Sequence, residues 1–204
     1  MGRRGILICI EGLDKSGKTT QSLLLVEALK REGFDATYTS EPSSGEIGKF
    51  IKRYVLGQKE KRIPVVAEAL LFAADRAEHV EREIKPLLEE GKIVISDRYV
   101  YSSIAYQGAA GLDIGWIEEI NRMALEPDLA IYIDVPVEVV IRRFKKGKDR
   151  TIMENPEVQR SVREIYLKLV KEGKLIMIDG NRSIKSVFSQ IRRIVLNYLK
   201  TRKP

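Results

Sequence analysis

The sequence predicts an α/β fold, a doubly wound five-stranded parallel sheet with helices on both faces. Three observations carry this expectation. Short apolar runs of strand length recur along the chain, and the stretches between them repeat their apolar residues with a helical period. A glycine-bearing loop, Gly12-Leu13-Asp14-Lys15-Ser16-Gly17-Lys18-Thr19, falls between the first run and the first helical stretch. The runs read as buried strands, as they do when helices cover both sides of a sheet.

In chain order, Gly5–Glu11 is the first strand, and Lys18–Glu32 is a helix with Leu25, Ala28 and Leu29 at i, i+3 and i+4. Asp35–Ser40 is the second strand. Glu41-Pro42 and Ser43-Ser44-Gly45 form a loop leading into a helix over Glu46–Leu56. Pro64 opens a long helix to Glu89, at a position where its missing N–H costs little. Lys92–Ser96 is the third strand, with short helices over Val100–Gln107 and Ile114–Leu125 after it. Leu129–Val135 is the fourth strand, and Pro136 starts a helix to about Lys145. Asn155-Pro156-Glu157 combines an N-cap, a proline at the first helical position and an acid in the first turn. Val162, Ile165, Tyr166 and Leu169 continue that helix's apolar stripe, and Lys174–Asp179 is the fifth strand. Ile184, Val187, Ile191, Ile194, Val195 and Tyr198 give the last helix its period, and Thr201–Pro204 reads as a frayed tail.

At 204 residues the chain suits one sizeable core, so a single domain over 1–204 is expected, without linker, repeat or low-complexity tract. No apolar run approaches the roughly 20 residues that cross a bilayer, and Ile6–Ile10 is too short for a signal peptide. A single cysteine, Cys9, excludes a disulfide framework and makes a reducing cytoplasm the expected setting. Cys9 itself reads as core packing. His79, the only histidine, reads as a helix-surface residue and cannot build a His-rich metal site. The net charge of +7 favours anionic partners, whether nucleic acid, a membrane surface or nucleotide phosphates.

Position chooses among them. The loop Gly12–Thr19 fits G-x-x-x-x-G-K-[ST], in which glycines let the backbone wrap a phosphate chain with its N–H groups inward. Lys18 can reach the β/γ-phosphates, Thr19 can ligate Mg²⁺, and the following helix aims its positive end at the same place. The third strand ends in Asp97, where a Mg²⁺-associated carboxylate belongs, and Arg98 points into the same crevice; a strand-terminating ion pair is the plainer alternative. No guanine-specifying N-K-x-D is present.

Two features point to a small aromatic acceptor. Ala69, Phe72, Ala73, Arg76 and Val80 share one helix face, so a guanidinium interrupts an apolar stripe and must find acceptors. Phe72 and Arg76 at i and i+4 offer a ring to stack on with donors above it, which favours a base carbonyl such as O4 of thymine or uracil over cytosine's amino group. A core Phe with Arg76 snorkelling outward, or paired with Asp75, Glu78 or Glu83, explains the same spacing. In the second feature, Ser103, Tyr106 and Gln107 at i, i+3 and i+4 offer hydroxyl, ring and amide along one helix side, though an amphipathic surface helix would do so too.

The segment ISDRYVYSSIAYQ, Ile95–Gln107, closely resembles the signature of thymidylate kinases, with D-R-Y, Ser and A-Y-Q in register. The likeness extends in order through GLDKSGKT, LLFAADR, PDLAIYIDV and IDGNR, across nearly the whole chain. It implies a P-loop NTPase fold with a short lid over about 142–155, and γ-phosphoryl transfer from ATP to dTMP with Mg²⁺ as cofactor. It also implies a homodimer, and neither nucleic acid nor a membrane is expected as a partner.

The resemblance implies residue roles as well. Gly12, Leu13, Asp14, Lys15, Ser16, Gly17, Lys18, Thr19 and Thr20 would hold ATP, with Arg142 or Arg143 against adenine and Gly180-Asn181-Arg182 on its other side. Asp14 would meet the sugar 3′-hydroxyl or a magnesium-bound water. Phe72 would stack on thymine, Arg76 would donate to its O4, and Ser103 or Gln107 would meet other edge atoms. Tyr106 would crowd the 2′ position, Arg98 would hold the acceptor phosphate, and Asp97 would orient it with Mg²⁺. Lys15, Arg150 or a lid lysine among Lys145, Lys146 and Lys148 would neutralise the transferring phosphoryl, and Glu154 would be the lid glutamate. A basic helix end in solvent is the plainer reading of that lid run. Between Arg150 and Glu154 the lid is two residues longer than the familiar arrangement. Where many members carry an Arg beside the Glu-Pro pair, this chain has Ser40, Ser43 and Ser44, and Lys49 or Arg53 is the expected substitute. A kinase of another nucleotide or a deoxynucleoside is the nearest rival. A nucleotide-dependent switch or nucleic-acid-binding protein is a more distant one, since the basic residues concentrate at the lid rather than along an aromatic-studded groove.

Overall fold

In a computed structural model that describes residues 4–56, 63–144 and 155–201, β1 (Ile6–Gly12), β2 (Ala36–Ser40), β3 (Ile93–Asp97), β4 (Leu129–Asp134) and β5 (Ile176–Asp179) form one sheet. Its order is β2-β3-β1-β4-β5, and every pairing is parallel. Parallel neighbours need crossover connections, which the helices supply. These are α1 (Lys18–Arg31), α2 (Glu46–Tyr54), α3 (Val65–His79), α4 (Lys85–Glu89), α5 (Val100–Ala109), α6 (Ile114–Ile120), α7 (Val137–Arg143), α8 (Pro156–Lys171) and α9 (Ile184–Thr201). One layer sets α1 against α9 and against β1, β2 and β3; the other sets α5 against α8, with α5 also meeting β1 and α8 meeting β4.

Winding reverses at β1, between β3 and β4, and that switch point opens a crevice at the carboxyl ends of the strands. The register gathers the acids there. Asp97 lies level with Ile10 and Ser40, and Asp134 lies level with Asp179. Beneath them Leu7, Ile8, Cys9, Ile10, Val94, Ile95, Ile131 and Ile133 are wholly buried, so Cys9 is core packing as expected. Each Leu or Ile buried in this way contributes about 1.5–3 kcal/mol, which fixes the platform under the crevice.

Three expectations need correcting. The fifth strand is not buried: Ile176 and Met177 are 43% and 48% exposed, because β5 is an edge strand and only Ile178 packs inward. The helix expected to run unbroken from Pro64 to Glu89 widens into a π-helical turn over Val80–Ile84. Pro86 lies two residues beyond that turn; it has no N–H to give the Arg82 carbonyl and its ring crowds it, which a wider turn relieves. The helix after Gly111 stops at Ile120 rather than Leu125, and Asn121 becomes its C-cap. Asn155 does cap α8, accepting from the Glu157 N–H at 2.9 Å. Of the expected frayed tail, Thr201 ends α9, and 202–204 lie outside the described residues.

Candidate active site

The crevice is built outward from the phosphate loop. Gly12 has φ 152°, and a Cβ there would lie 2.9 Å from the Ile133 carbonyl oxygen, so the loop can leave β1 only through glycine. Lys15 takes the left-handed conformation at φ 60°, and Gly17, at φ 103°, starts α1 with no side-chain cap. The first N–H groups of α1 are thereby left for an anion. Lys18 is 6% exposed and donates to the Leu13 carbonyl at 2.8 Å. Burial, reinforced by the Arg98 charge, lowers its pKa to about 8 despite Asp14, Asp97 and Glu11.

Thr19 donates to Asp97 Oδ2 at 2.5 Å, which joins the start of α1 to the tip of β3. Tyr38 reaches the same oxygen at 3.4 Å, while the buried Oδ1 of Asp97 has no hydrogen-bond partner among the described residues. Arg98, in the left-handed region at φ 75°, is held in a strained conformation that suits a functional position. Its guanidinium pairs with Asp14, bonds Ser102 Oγ at 3.0 Å and lies 5.0 Å from the ring centroid of Tyr106. Burial alone would raise the Asp14 pKa, but Arg98, Lys18 and Lys15 outweigh it and lower it. The Tyr106 hydroxyl accepts from the Asp14 N–H at 3.1 Å, so α5 is drawn onto the phosphate loop; burial pushes that phenol up to about 12.

Beside this lies the face formed by α3 and α5. Phe72 is half-buried, whereas Arg76, Ser103, Tyr106 and Gln107 are buried, so α5 belongs to the interior and is not a surface helix. Arg76 donates to Glu41 Oε2 at 2.6 Å, to Ser103 Oγ at 3.1 Å, to the Tyr99 carbonyl at 3.2 Å and to Asn121 Oδ1. Its acid is thus Glu41, from the loop after β2, and not Asp75, Glu78 or Glu83. Gln107 donates to Glu68 Oε1 at 2.9 Å. Among the described residues, the donor Nε of Arg76 and the acceptor Oε1 of Gln107 are buried without a hydrogen-bond partner.

His79 overturns its expected surface position. It is 2% exposed, with Nε2 2.6 Å from Thr39 Oγ1 and Nδ1 3.3 Å from Glu41 Oε1. Lys49 is exposed and pairs with Glu46 at 2.7 Å, and Arg53 lies 5.1 Å from the ring centroid of Tyr54. Lys52 reaches the loop after β2, donating to the Ser43 carbonyl at 3.0 Å, and Ser43 is held by Asp75 through N–H and hydroxyl bonds of 2.8 and 2.6 Å.

On the donor side the exposed Arg143 donates to the Lys15 carbonyl at 2.9 Å, and the exposed Arg142 donates to the Glu138 carbonyl at 3.3 Å. Asn181 and Arg182 are exposed in the loop after β5, both tied to Asp179. Gly180 lets that loop close on β4, since a Cβ there would come 2.5 Å from Ile133 Cγ2. Thr20 is exposed on the first turn of α1. Arg150, Glu154, Lys145, Lys146 and Lys148 lie outside the described residues.

Glu11 was passed over in the sequence although it is a lone acid closing an apolar strand. It is fully buried and accepts from Ser102 at 2.6 Å, Tyr166 at 2.9 Å and the Tyr99 N–H at 2.9 Å, so it props the segment that carries Arg98. Burial outweighs these donors and raises its pKa.

A phosphate loop, a hydroxyl–carboxylate pair at the β3 tip and a buried arginine–amide face across the crevice define a P-loop nucleotide kinase. The family model for thymidylate kinase matches residues 10–191. A probable thymidylate kinase of Pyrococcus horikoshii is 45% identical over 96% of this chain and 98% of its own. A second from Pyrococcus abyssi is 46% identical over the same shares, and a thymidylate kinase of Symbiobacterium thermophilum is 41% identical over 97% and 95%. The chain belongs to the thymidylate kinase family.

Proposed function

We propose that this chain transfers the γ-phosphoryl group of ATP to dTMP, giving ADP and dTDP. The observation that carries the choice of acceptor is the pair of buried, partnerless atoms on α3 and α5. Arg76 Nε can only donate and Gln107 Oε1 can only accept, and thymine presents O4 and N3–H in return. Cytosine offers the opposite pattern, an amino group and a bare N3, and would leave both atoms unpaired. Sites built on such buried groups reject the wrong edge strongly.

Across the crevice, the loop N–H groups and Lys18 hold the donor phosphates, and Arg98 holds the acceptor phosphate. An oxygen of the dTMP phosphate attacks the γ-phosphorus in line, and the bond to the ADP oxygen breaks. The attacking oxygen is already anionic at neutral pH, so positioning and charge neutralisation carry the step. Lys15, Lys18 and Arg98 supply cations, and we assign Arg150 of the lid the same task. The Thr19 hydroxyl and the Asp97 carboxylate are hard oxygen donors that fit Mg²⁺ and would hold it, and the ion would supply positive charge against the phosphates. Arg143, Arg142, Asn181 and Arg182 flank the place assigned to adenine.

The same reading takes 1–204 as one domain acting in the cytoplasm as a homodimer. Supporting it, the lone cysteine is free and buried, and no described helix is long and apolar enough to cross a membrane. Phe50, Tyr54, Val66 and Leu70 expose 45–49% of their surface on the adjoining helices α2 and α3, an apolar face suited to a second copy.

A coupled ADP-release assay with dTMP, dUMP, dCMP, UMP and thymidine tests the acceptor. The expected order puts dTMP first, with dUMP behind it for want of the methyl group and little turnover of dCMP or thymidine. Comparable use of dCMP would defeat the base-edge assignment.

A further inference from the structure

Phosphoryl transfer leaves unused a buried histidine behind the base-binding face. His79 lies three residues beyond Arg76 on α3, and both pack inward. Its Nδ1 meets one oxygen of Glu41 at 3.3 Å, while the other oxygen accepts from Arg76 at 2.6 Å. Its Nε2 meets Thr39 Oγ1 of β2 at 2.6 Å, with the partly exposed Glu83 at 3.7 Å. One carboxylate therefore sits between the imidazole and the guanidinium, and the imidazole is anchored to the sheet.

Chemistry sets the direction of the bond to Glu41. An ionised carboxylate can only accept, so the nitrogen facing Glu41 carries the proton, while Nε2 and the Thr39 hydroxyl share the bond to the sheet. A guanidinium is a rigid planar fork whose orientation follows its acceptors. Of the four acceptors around Arg76, Glu41 alone bears a charge; Asn121, Ser103 and the Tyr99 carbonyl are neutral. The hold on Glu41 thus decides where Arg76 Nε points.

We propose that His79 is a positioning residue for the acceptor base: its Nδ1–H fixes Glu41, and Glu41 fixes the plane of Arg76. The inference rests on the reading of Arg76 as the residue that meets the base.

Steady-state kinetics of four variants, each with a melting temperature, test it. In His79→Asn the side-chain amide falls near the place of Nδ1 and can still donate to Glu41. In His79→Gln the amide reaches the place of Nε2 and serves Thr39 instead. The expected result is a rise of about tenfold in KM for dTMP in His79→Gln and about threefold or less in His79→Asn, the loss of a bond to a charged group. KM for ATP and kcat stay within about twofold, and the preference for dTMP over dCMP narrows in His79→Gln. Glu41→Gln, which keeps an acceptor oxygen without charge, reproduces the His79→Gln effect and stands in for it if that variant does not fold. Equal KM for dTMP in both histidine variants, or a parallel change in KM for ATP, overturns the proposal. Arg76→Met separates the two levels. If it leaves KM for dTMP unchanged, the base-reading role falls and the relay with it; if it raises KM while His79→Gln and Glu41→Gln do not, only the relay falls.

Discussion

Lys18 concentrates the chemistry of the donor site in one titratable group. Its pKa of about 8 in the free protein means it is cationic below that value and loses its charge above it. Polyphosphate favours the cation, so ATP binding draws a proton onto Lys18 and raises its pKa. Calorimetry at pH 8.5 in two buffers of different ionisation enthalpy should show net proton uptake on ATP binding, and kcat/KM for ATP should fall as pH rises past about 8. Binding without proton uptake would contradict this. Phe72 is the residue we assign to the other nucleotide. Base–aromatic stacking is worth about 1–3 kcal/mol, so Phe72→Ala should raise KM for dTMP roughly 5- to 150-fold and move KM for ATP by no more than about twofold. Steady-state kinetics with each substrate varied in turn decides it. At this scale the residues assigned to the ligands stood out in the sequence, Gly12–Thr19 by its motif and Asp97-Arg98, Phe72 and Arg76 by spacings that a plainer reading also explains until the resemblance is added. The residues behind them were not. Glu41, His79 and Asn121 come together from a loop, a helix and a helix end, and helical spacing links only His79 to Arg76.

Whole elements are held to the crevice by polar ties as much as by packing. On α8, Arg163 grips both oxygens of Asp134 at 2.8 Å, and Tyr166 reaches Glu11 while its ring stacks on Tyr132 at 4.7 Å between centroids. Tyr166→Phe keeps the stack and removes one donor from a buried acid. It should lower stability by about 1–2 kcal/mol, read as a reduced urea midpoint at unchanged slope. A midpoint equal to the wild type would show that Ser102 and the Tyr99 N–H suffice. Element type followed from apolar period almost throughout, but boundaries yielded to tertiary demands. Pro86 in a predicted helix was the available sign of the π turn, and Asn121 ends α6 at the point where its amide turns to Arg76.

For the molecule as a whole, alternation of strand and helix was enough to foresee a parallel sheet, and the phosphate loop was enough to place its ligand crevice. Strand order was not legible, since it depends on which crossover passes over which face, and with it went the exposure of β5. The apolar face of α2 and α3 belongs to this scale. Light scattering coupled to size exclusion should give twice the chain mass, and Phe50→Glu with Leu70→Glu should give the single mass; a wild-type monomer would remove the homodimer. The central claim is that two nucleotides meet end to end above the sheet, and crystals grown with dTMP and a non-hydrolysable ATP analogue test it most directly. Thymine should stack on Phe72 with O4 at Arg76 and N3 at Gln107, its phosphate at Arg98 and the triphosphate wrapped by Gly12–Thr19. Thymine bound away from Phe72, or a phosphate chain outside that loop, would contradict it.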